Sequence, residues 1–417
     1  MKNVVVIGGG IIGLSSALYL RRAGNNVIVI DREGFADNCS YGNMGYVCPS
    51  HFIPMAAPGI VWQGLKWMFN SRSPFYVQPS LNLSLMDWGL KFMRSATKKN
   101  VLNAAIPLKE IAVFSQDEYA LWAKTDGLEM TLERKGMLEI FKTAKVGEHA
   151  AHTVEAGKKL GLDIELVDAK GLQQLEPHTK INALGAINFK CDSHLYPDQL
   201  MASLKKHLQF IGVQLIHDEV IGFEKLGNKV NQVLTKGKQS FNTDEVIVAT
   251  GSWSREIALM LQTKIPLMPG RGYSFTLNEP KDKLNHPAVL VEGRVAITPF
   301  EQGGKMRYGG TMEVVNTNTP PRFHRVEGII KAVKDFLPEF NVSMPSKDKI
   351  WYGYRPTSAD GLPYIGRIKK FKNVIVATGH SMLGLSLGAG TGKLVSEMVS
   401  EQKTSIDLSA FNVERFN

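Results

Sequence analysis

Lys2-Asn3-Val4-Val5-Val6-Ile7-Gly8-Gly9-Gly10-Ile11-Ile12-Gly13 opens the chain, and Asp31 stands 18 positions after Gly13. Residues 4–7 are a short apolar run, residues 14–23 have a helical pattern, and residues 27–30 are a second apolar run. That order predicts a strand, a glycine turn, a helix and a second strand, and the turn reads G-x-G-x-x-G. Each glycine has its own task. Gly8 makes the tight turn, Gly10 lets the backbone approach a pyrophosphate, and Gly13 lets the helix pack closely on the strand. Ile11 and Ile12 stand at the helix start, whose free N–H groups and partial positive charge face the phosphates. Asp31, followed by Arg32, ends the second strand, where a carboxylate accepts from a ribose hydroxyl. A secretory signal is the competing reading of a basic residue before an apolar stretch. Three consecutive glycines, the lack of an A-x-A-like cleavage site and the second strand exclude it. The stretch reads as an adenine-dinucleotide site.

A chain of 417 residues suggests two domains, each able to bury a core. Its 44% hydrophobic and 21% charged residues are ordinary for a globular protein in water. No apolar run reaches spanning length, so no transmembrane helix is expected. The cysteines are Cys39, Cys48 and Cys191, a sparse and odd set that argues for a reducing, cytoplasmic compartment. No C-x-x-C or H-E-x-x-H spacing occurs, and no metal is expected. The net charge of +10 comes from scattered residues with short clusters at Lys98-Lys99, Lys205-Lys206 and Lys369-Lys370. A solvated basic surface accounts for it best, with a peripheral-membrane face as the alternative. No nucleic-acid module is recognisable, and no nucleic-acid partner is expected.

Buried-strand patterns recur at Glu245-Val246-Ile247-Val248-Ala249-Thr250-Gly251 and at Asn373-Val374-Ile375-Val376-Ala377-Thr378-Gly379. Both are apolar runs stopped by glycine, as in parallel strands covered on both faces. Helical stretches at 198–210 and 391–400 accompany them. Residues 81–96 and 108–125 are amphipathic, and residues 265–315 alternate as strands with Gly and Pro punctuation. The fold expected is α/β: a doubly wound dinucleotide domain interleaved with an antiparallel-sheet domain. The first takes residues 1–80, 144–264 and 352–417; the second takes 81–143 and 265–351.

Two further segments carry chemistry. Cys39-Ser40-Tyr41-Gly42-Asn43-Met44-Gly45 is small, polar and glycine-rich, suited to lining a flat ring, although an ordinary surface turn has the same composition. The closing segment is Gly353-Tyr354-Arg355-Pro356 with Asp360-Gly361 and Pro363, followed by Gly379-His380-Ser381-Met382-Leu383-Gly384-Leu385-Ser386. There a strand feeds a glycine-rich loop that opens a last helix. Its N-terminus, aimed at the pyrimidine end of a flavin, favours the anionic reduced ring.

These motifs together resemble the D-amino-acid-oxidase-like family of FAD-dependent amine oxidoreductases, nearest its bacterial D-amino-acid dehydrogenase branch, over almost the whole length. Asn43-Met44-Gly45 resembles the family's N-x-G loop. Ala56-Ala57-Pro58-Gly59 and Leu65-Lys66-Trp67-Met68-Phe69 resemble the segment that follows it. Gly270-Arg271-Gly272-Tyr273-Ser274 is similar to a K-G-Y-S stretch. Ala296-Ile297-Thr298-Pro299 and Gly309-Gly310-Thr311-Met312-Glu313 are similar to paired substrate-domain strands. The G-x-R-P motif at Gly353 is the most specific.

The resemblance implies FAD, and Arg355 as the clamp on a substrate carboxylate. A guanidinium fork matches a carboxylate in two parallel bonds. Tyr273 and His51 are further catalytic candidates, each weighed against a structural role. The cofactor residues are those of the first motif, with Ser40, Asn43, Met44, Gly45, Val220, Thr250, Gly251, Gly379, His380, Leu383, Gly384, Leu385 and Ser386; His380 orients the loop. No cysteine adjoins G-x-R-P in sequence, so FAD is expected to be non-covalent. Ala296 and Met382 stand where oxidase and glycine-acting relatives carry a tyrosine and an arginine, which makes the pocket less polar. The implied activity is oxidation of a D-amino acid to a 2-oxo acid and ammonium, with hydride passing from Cα to flavin N5. Electrons then go to a quinone or another respiratory acceptor, which fits peripheral association with the inner face of the cytoplasmic membrane. A D-proline or cis-4-hydroxy-D-proline dehydrogenase and an oxygen-using amine oxidase are the alternatives.

Overall fold

The computed structural model describes residues 1–36, 38–59, 75–78, 82–125 and 127–417. Its first sheet has six strands in the order Gln214–His217, Asn26–Asp31, Asn3–Ile7, Glu245–Val248, Val374–Thr378 and Tyr364–Arg367. Neighbours pair in parallel except the last, which is antiparallel. Residues 4–7, 245–248 and 374–378 are wholly buried, as continuous apolar runs in a sheet covered on both faces must be. The helix Ile11–Arg22 buries ten consecutive residues, from Ile11 to Leu20. It packs on the last helix, Gly388–Val399, which begins three residues earlier than the sequence pattern predicts. Glycines cause that approach: a Cβ on Gly392 would lie 2.5 Å from the Ser15 backbone, and one on Gly388 2.7 Å from Ile11.

The second sheet has nine strands. Its order is Ile350–Ser358, Leu267–Asn278, Lys305–Val314, Val295–Phe300, Ala288–Leu290, Met137–Phe141, Gly185–Phe189 and Ile164–Asp168, with Phe75–Val77 added on Lys305–Val314. Here the expected domain boundaries need correcting. Strands at 164–168 and 185–189, assigned from sequence to the dinucleotide domain, extend the second sheet. The helix Ala144–Lys159 folds back onto them, burying Ala150 and Val154 against Phe141 and Ile164. Phe75–Val77 also joins that sheet. Conversely, Lys98–Trp122 runs unbroken through Pro107 and packs Leu108 and Ile111 against Leu362, Ile365 and Leu394 of the dinucleotide side. Apolar contacts made far along the chain override the local composition that suggested the boundaries. The segment Leu65-Lys66-Trp67-Met68-Phe69 and the start of the amphipathic stretch at Leu81 lie outside the described residues.

Candidate functional site

The first turn holds its glycines for different physical reasons. Gly8 has φ +111°, and a Cβ there would meet the Ala249 carbonyl oxygen at 2.4 Å. A Cβ on Gly13 would lie 1.8 Å from the Gly8 oxygen. Among the described residues, a Cβ added to Gly10 would come no nearer than 3.7 Å to any neighbour, the nearest being Ser40 Oγ, so that side of the turn is open. The helix N-terminus has no side-chain cap, although Ser40 Oγ accepts from Ile11 N–H at 3.1 Å. Asp31 Oδ2 accepts from Gly9 N–H at 2.7 Å, so its carboxylate braces the turn as well as facing the cavity.

A cavity of about 680 Å³ begins at this turn. Gly8, Gly10, Ile11, Ile12, Asp31, Arg32, Ser40, Asn43, Val220, Thr250, Gly251, His380, Gly384 and Leu385 line it. Arg32 stacks over the Trp253 ring at 4.6 Å. Met44, Leu383 and Ser386 line a second, adjoining cavity of about 580 Å³. Gly13, Gly45 and Gly379 line neither. Gly45 and Gly379 are glycines for backbone reasons, with φ +82° and +78°, and added Cβ atoms would strike the Leu195 carbonyl oxygen and the Tyr364 ring. Asn38 and Trp253 were not singled out in the sequence. Asn38 donates to the Gly9 carbonyl at 3.0 Å and positions Ser40, but an isolated asparagine in a turn gives no signal.

The first cavity fits a dinucleotide carrying a flavin. Among the described residues, the buried polar atoms His380 Nδ1, Ser381 Oγ and Ser252 Oγ on its wall have no protein partner. Ser381 sits at φ +51°, a conformation that costs energy for a residue with a side chain. His380 is pinned through Nε2 to Thr391 Oγ1 at 3.1 Å, and burial pushes its pKa down to about 3. It is therefore neutral near pH 7 and tied to the last helix. Cys39 departs from expectation. Distant from G-x-R-P in sequence, it lies against that strand, with Tyr354 N–H donating to its sulfur at 3.2 Å, and lines both cavities.

Arg355 lies where the cavities meet and lines both. Its guanidinium lies against Gly272, where a Cβ would come within 2.3 Å of the nitrogens. Nη1 donates to the Thr311 carbonyl at 2.7 Å. Thr311 is held at φ +64° where the ladder between Leu267–Asn278 and Lys305–Val314 slips register. Desolvation lowers the arginine's pKa to about 10. Among the described residues no carboxylate lies within ion-pair distance of it.

Tyr273 lines the second cavity, but its hydroxyl is already engaged. Its hydroxyl donates to Glu313 Oε2 at 2.7 Å and accepts from Arg322 N–H at 2.7 Å. Glu313 also holds Arg271 and Arg325, a buried ion network that consumes the phenol. His51 does face the second cavity, beside Ser50 and Asp192. Burial pushes its pKa down to about 4, so it is neutral near pH 7. The fold brings Cys48, His51 and Asp192 donor atoms within 4.8 Å of one another, although their spacing gave no metal signature. Asp192 is already engaged by Ser50 N–H, the Ser50 hydroxyl and the Cys191 thiol. Glu139 and Arg294, also missed in the sequence, enter the same cavity. Both look like ordinary alternating strand and turn charges until the sheet curls around them. The rest of that wall is chiefly apolar, with Met44, Phe75, Leu85, Trp88, Phe92 and Met312.

A sequence model of the family described as "FAD dependent oxidoreductase" matches residues 3–398. The chain is 30% identical over 402 residues to a D-amino acid dehydrogenase of Helicobacter pylori, covering 95% of this chain and 94% of that protein. It is 28% identical over 426 residues to a D-amino acid dehydrogenase of Granulibacter bethesdensis, covering 99% of each. The fold is similar to the crystal structure of glycine oxidase from Geobacillus kaustophilus, with a TM-score of 0.77 at 18% identity, over 100% of this chain and 99% of that one.

Proposed function

The chain belongs to the family of FAD-dependent oxidoreductases, and from that premise we propose that it oxidises D-amino acids to 2-oxo acids and ammonium. The observation that carries the reading is Arg355, a desolvated cation at the junction of the two cavities with a main-chain oxygen as its acceptor. A substrate carboxylate completes it with two charge-assisted bonds and so fixes the Cα–H direction. The apolar wall receives the side chain and excludes water. Neutral His51 stands at that wall and leaves the amine free to lose its proton. FAD, held by the first turn and the loop around His380, would supply the hydride acceptor when bound. The imino acid then hydrolyses in water, and a quinone or another respiratory carrier removes the electrons. The name D-amino acid dehydrogenase carried by relatives supports reading the substrate as a D-amino acid.

FAD is held without a covalent bond in this reading, with Cys39 satisfied by the Tyr354 N–H. Acid precipitation tests it: the yellow colour should stay in the supernatant. The activity is tested by anaerobic mixing with D- and L-amino acids and prolines while the flavin absorbance is followed. D-forms alone should bleach it. Bleaching by L-forms alone, or by none, overturns the proposal, and stoichiometric hydrogen peroxide in air would instead identify an oxidase.

A further inference from the structure

Given the oxidation proposed above, we propose that Glu139 and Arg294 form the far end of the substrate pocket and select a D-amino acid whose side chain ends in a carboxamide. Strand register lays out the floor of the second cavity. Trp351, Ser274, Gly309, Ala296, Val289 and Glu139 are successive partners across six strands of the second sheet. Partners in register share a face, and all six line this cavity. Arg355 marks one side, with Nη1 bonded to the Thr311 carbonyl of strand Lys305–Val314. Glu139 marks the other, on strand Met137–Phe141, three strand spacings away. At about 4.8 Å per spacing that is roughly 14 Å along the sheet, and the Glu139 side chain reaches back over part of it. The floor between them is Gly309, Ala296 and Val289, none longer than valine, with the Met44 thioether resting on Gly309. A substrate held by its carboxylate at Arg355 reaches Glu139 with two methylenes and a polar tip; the methyl of alanine stops short.

Charge identifies the tip. Among the described residues Glu139 makes no hydrogen bond and no ion pair, although burial makes an unpaired carboxylate costly there. Its neighbours are committed elsewhere. The Tyr46 hydroxyl donates to the Ala288 and Ile297 carbonyls, and Asp192 accepts from Ser50. Arg294, held at φ +51° before strand Val295–Phe300, enters the same cavity and sets a positive charge against the carboxyl. An acceptor and a donor of opposite charge thus face one ligand. A cation drawn to Glu139 is repelled by Arg294, and an anion drawn to Arg294 is repelled by Glu139. A carboxamide has no net charge, two N–H donors for the carboxylate and a carbonyl that accepts from the guanidinium. An apolar side chain of the same length leaves both groups unpaired, which a site built for hydrogen bonds penalises most.

The test is anaerobic bleaching of the FAD-loaded protein by D-glutamine, D-methionine, D-glutamate and D-lysine, compared as second-order rate constants. D-Glutamine should exceed D-methionine, its apolar counterpart in length, at least about tenfold, and should exceed both charged acids. Glu139→Leu should erase most of the glutamine-to-methionine ratio, and Arg294→Met should shift selectivity from D-glutamine toward D-lysine. Flavin content and circular dichroism confirm that the variants are folded. Three results overturn the proposal: a wild type in which any of the other three equals D-glutamine, Glu139→Leu with the wild-type ratio, or Arg294→Met with no shift toward D-lysine. Failure of the oxidation itself looks different, since then neither these acids nor D-alanine bleach the flavin. In that case Kd values from perturbation of the flavin spectrum decide. A tenfold preference for D-glutamine that Glu139→Leu removes upholds the pocket, and equal or absent binding overturns it.

Discussion

Arg355 and Glu139 show how burial adjusts single residues. Arg355 keeps its charge because desolvation lowers its pKa only to about 10, well above the working range. Lysine cannot present the fork, so Arg355→Lys should cut kcat/KM for D-alanine by roughly 10- to 150-fold, the equivalent of about 1.5–3 kcal/mol. Flavin should remain bound, and steady-state kinetics beside the flavin spectrum check both halves. Glu139 is the other case. Set mid-strand in the cavity wall, it is pushed from 4.5 up to about 7 by burial; Asp192 nearby raises it further and Arg294 partly offsets this. Tyr46 and Cys48 face it as well. Because the folded value is the higher one, the unfolded chain ionises first as pH rises. The stability linked to Glu139 is therefore whole below about pH 4.5 and is lost as pH rises through about 7. In thermal melts, Glu139→Gln should gain on the wild type at pH 8 and not at pH 4. Parallel profiles would show that the carboxyl does not titrate there.

At the scale of elements, two backbone devices set the site. The first turn needs Gly13, since even a Cβ would overlap the Gly8 oxygen. Gly13→Val should prise the helix off the turn and give colourless protein; recovery with full flavin would contradict this reading of the turn. The second device is the register slip opposite Tyr273, which places Thr311 in the left-handed region and turns its carbonyl to Arg355. Such strain costs a β-branched residue on the order of 1–3 kcal/mol. Thr311→Gly should therefore hold its stability or gain up to about 1 kcal/mol, whereas glycine ordinarily costs about that much in a strand. Its kcat/KM should fall, because a more mobile carbonyl positions the guanidinium less well. Calorimetry and kinetics on the same preparation separate the two effects.

At the scale of the molecule, the cofactor cavity joins the two sheets. Its walls come from the first turn, the Cys39–Asn43 loop, Thr250–Trp253, the Arg355 strand and the loop after Val374–Thr378. A ligand touching all of these binds only the folded chain. FAD at about a hundred times its Kd should therefore add roughly 2.7 kcal/mol to the stability of the stripped protein. The rise in Tm should follow FAD concentration, and NAD should not reproduce it.

Much of the dinucleotide half was legible in the chain because its signals are local. A strand–turn–helix needs glycine at given positions for steric reasons, and buried parallel strands need unbroken apolar runs, wherever the rest of the chain goes. The G-x-R-P strand was legible in another way, through a motif that resembles the family's, and not through local sterics. What only the tertiary structure decided depends on contacts between distant segments. Tyr273 does line the second cavity, but Glu313, forty residues on, takes the hydroxyl that the sequence left free for a ligand. Cys39 looked remote from the arginine strand, but the loop that carries it folds onto Tyr354. Residues 164–189 fell within the segment assigned to the dinucleotide domain, yet they extend the other sheet, where Phe141 and Ile164 find a shared core. Local sterics write themselves into short spacings; burial and pairing are properties of the closed chain, and appear only once it has closed.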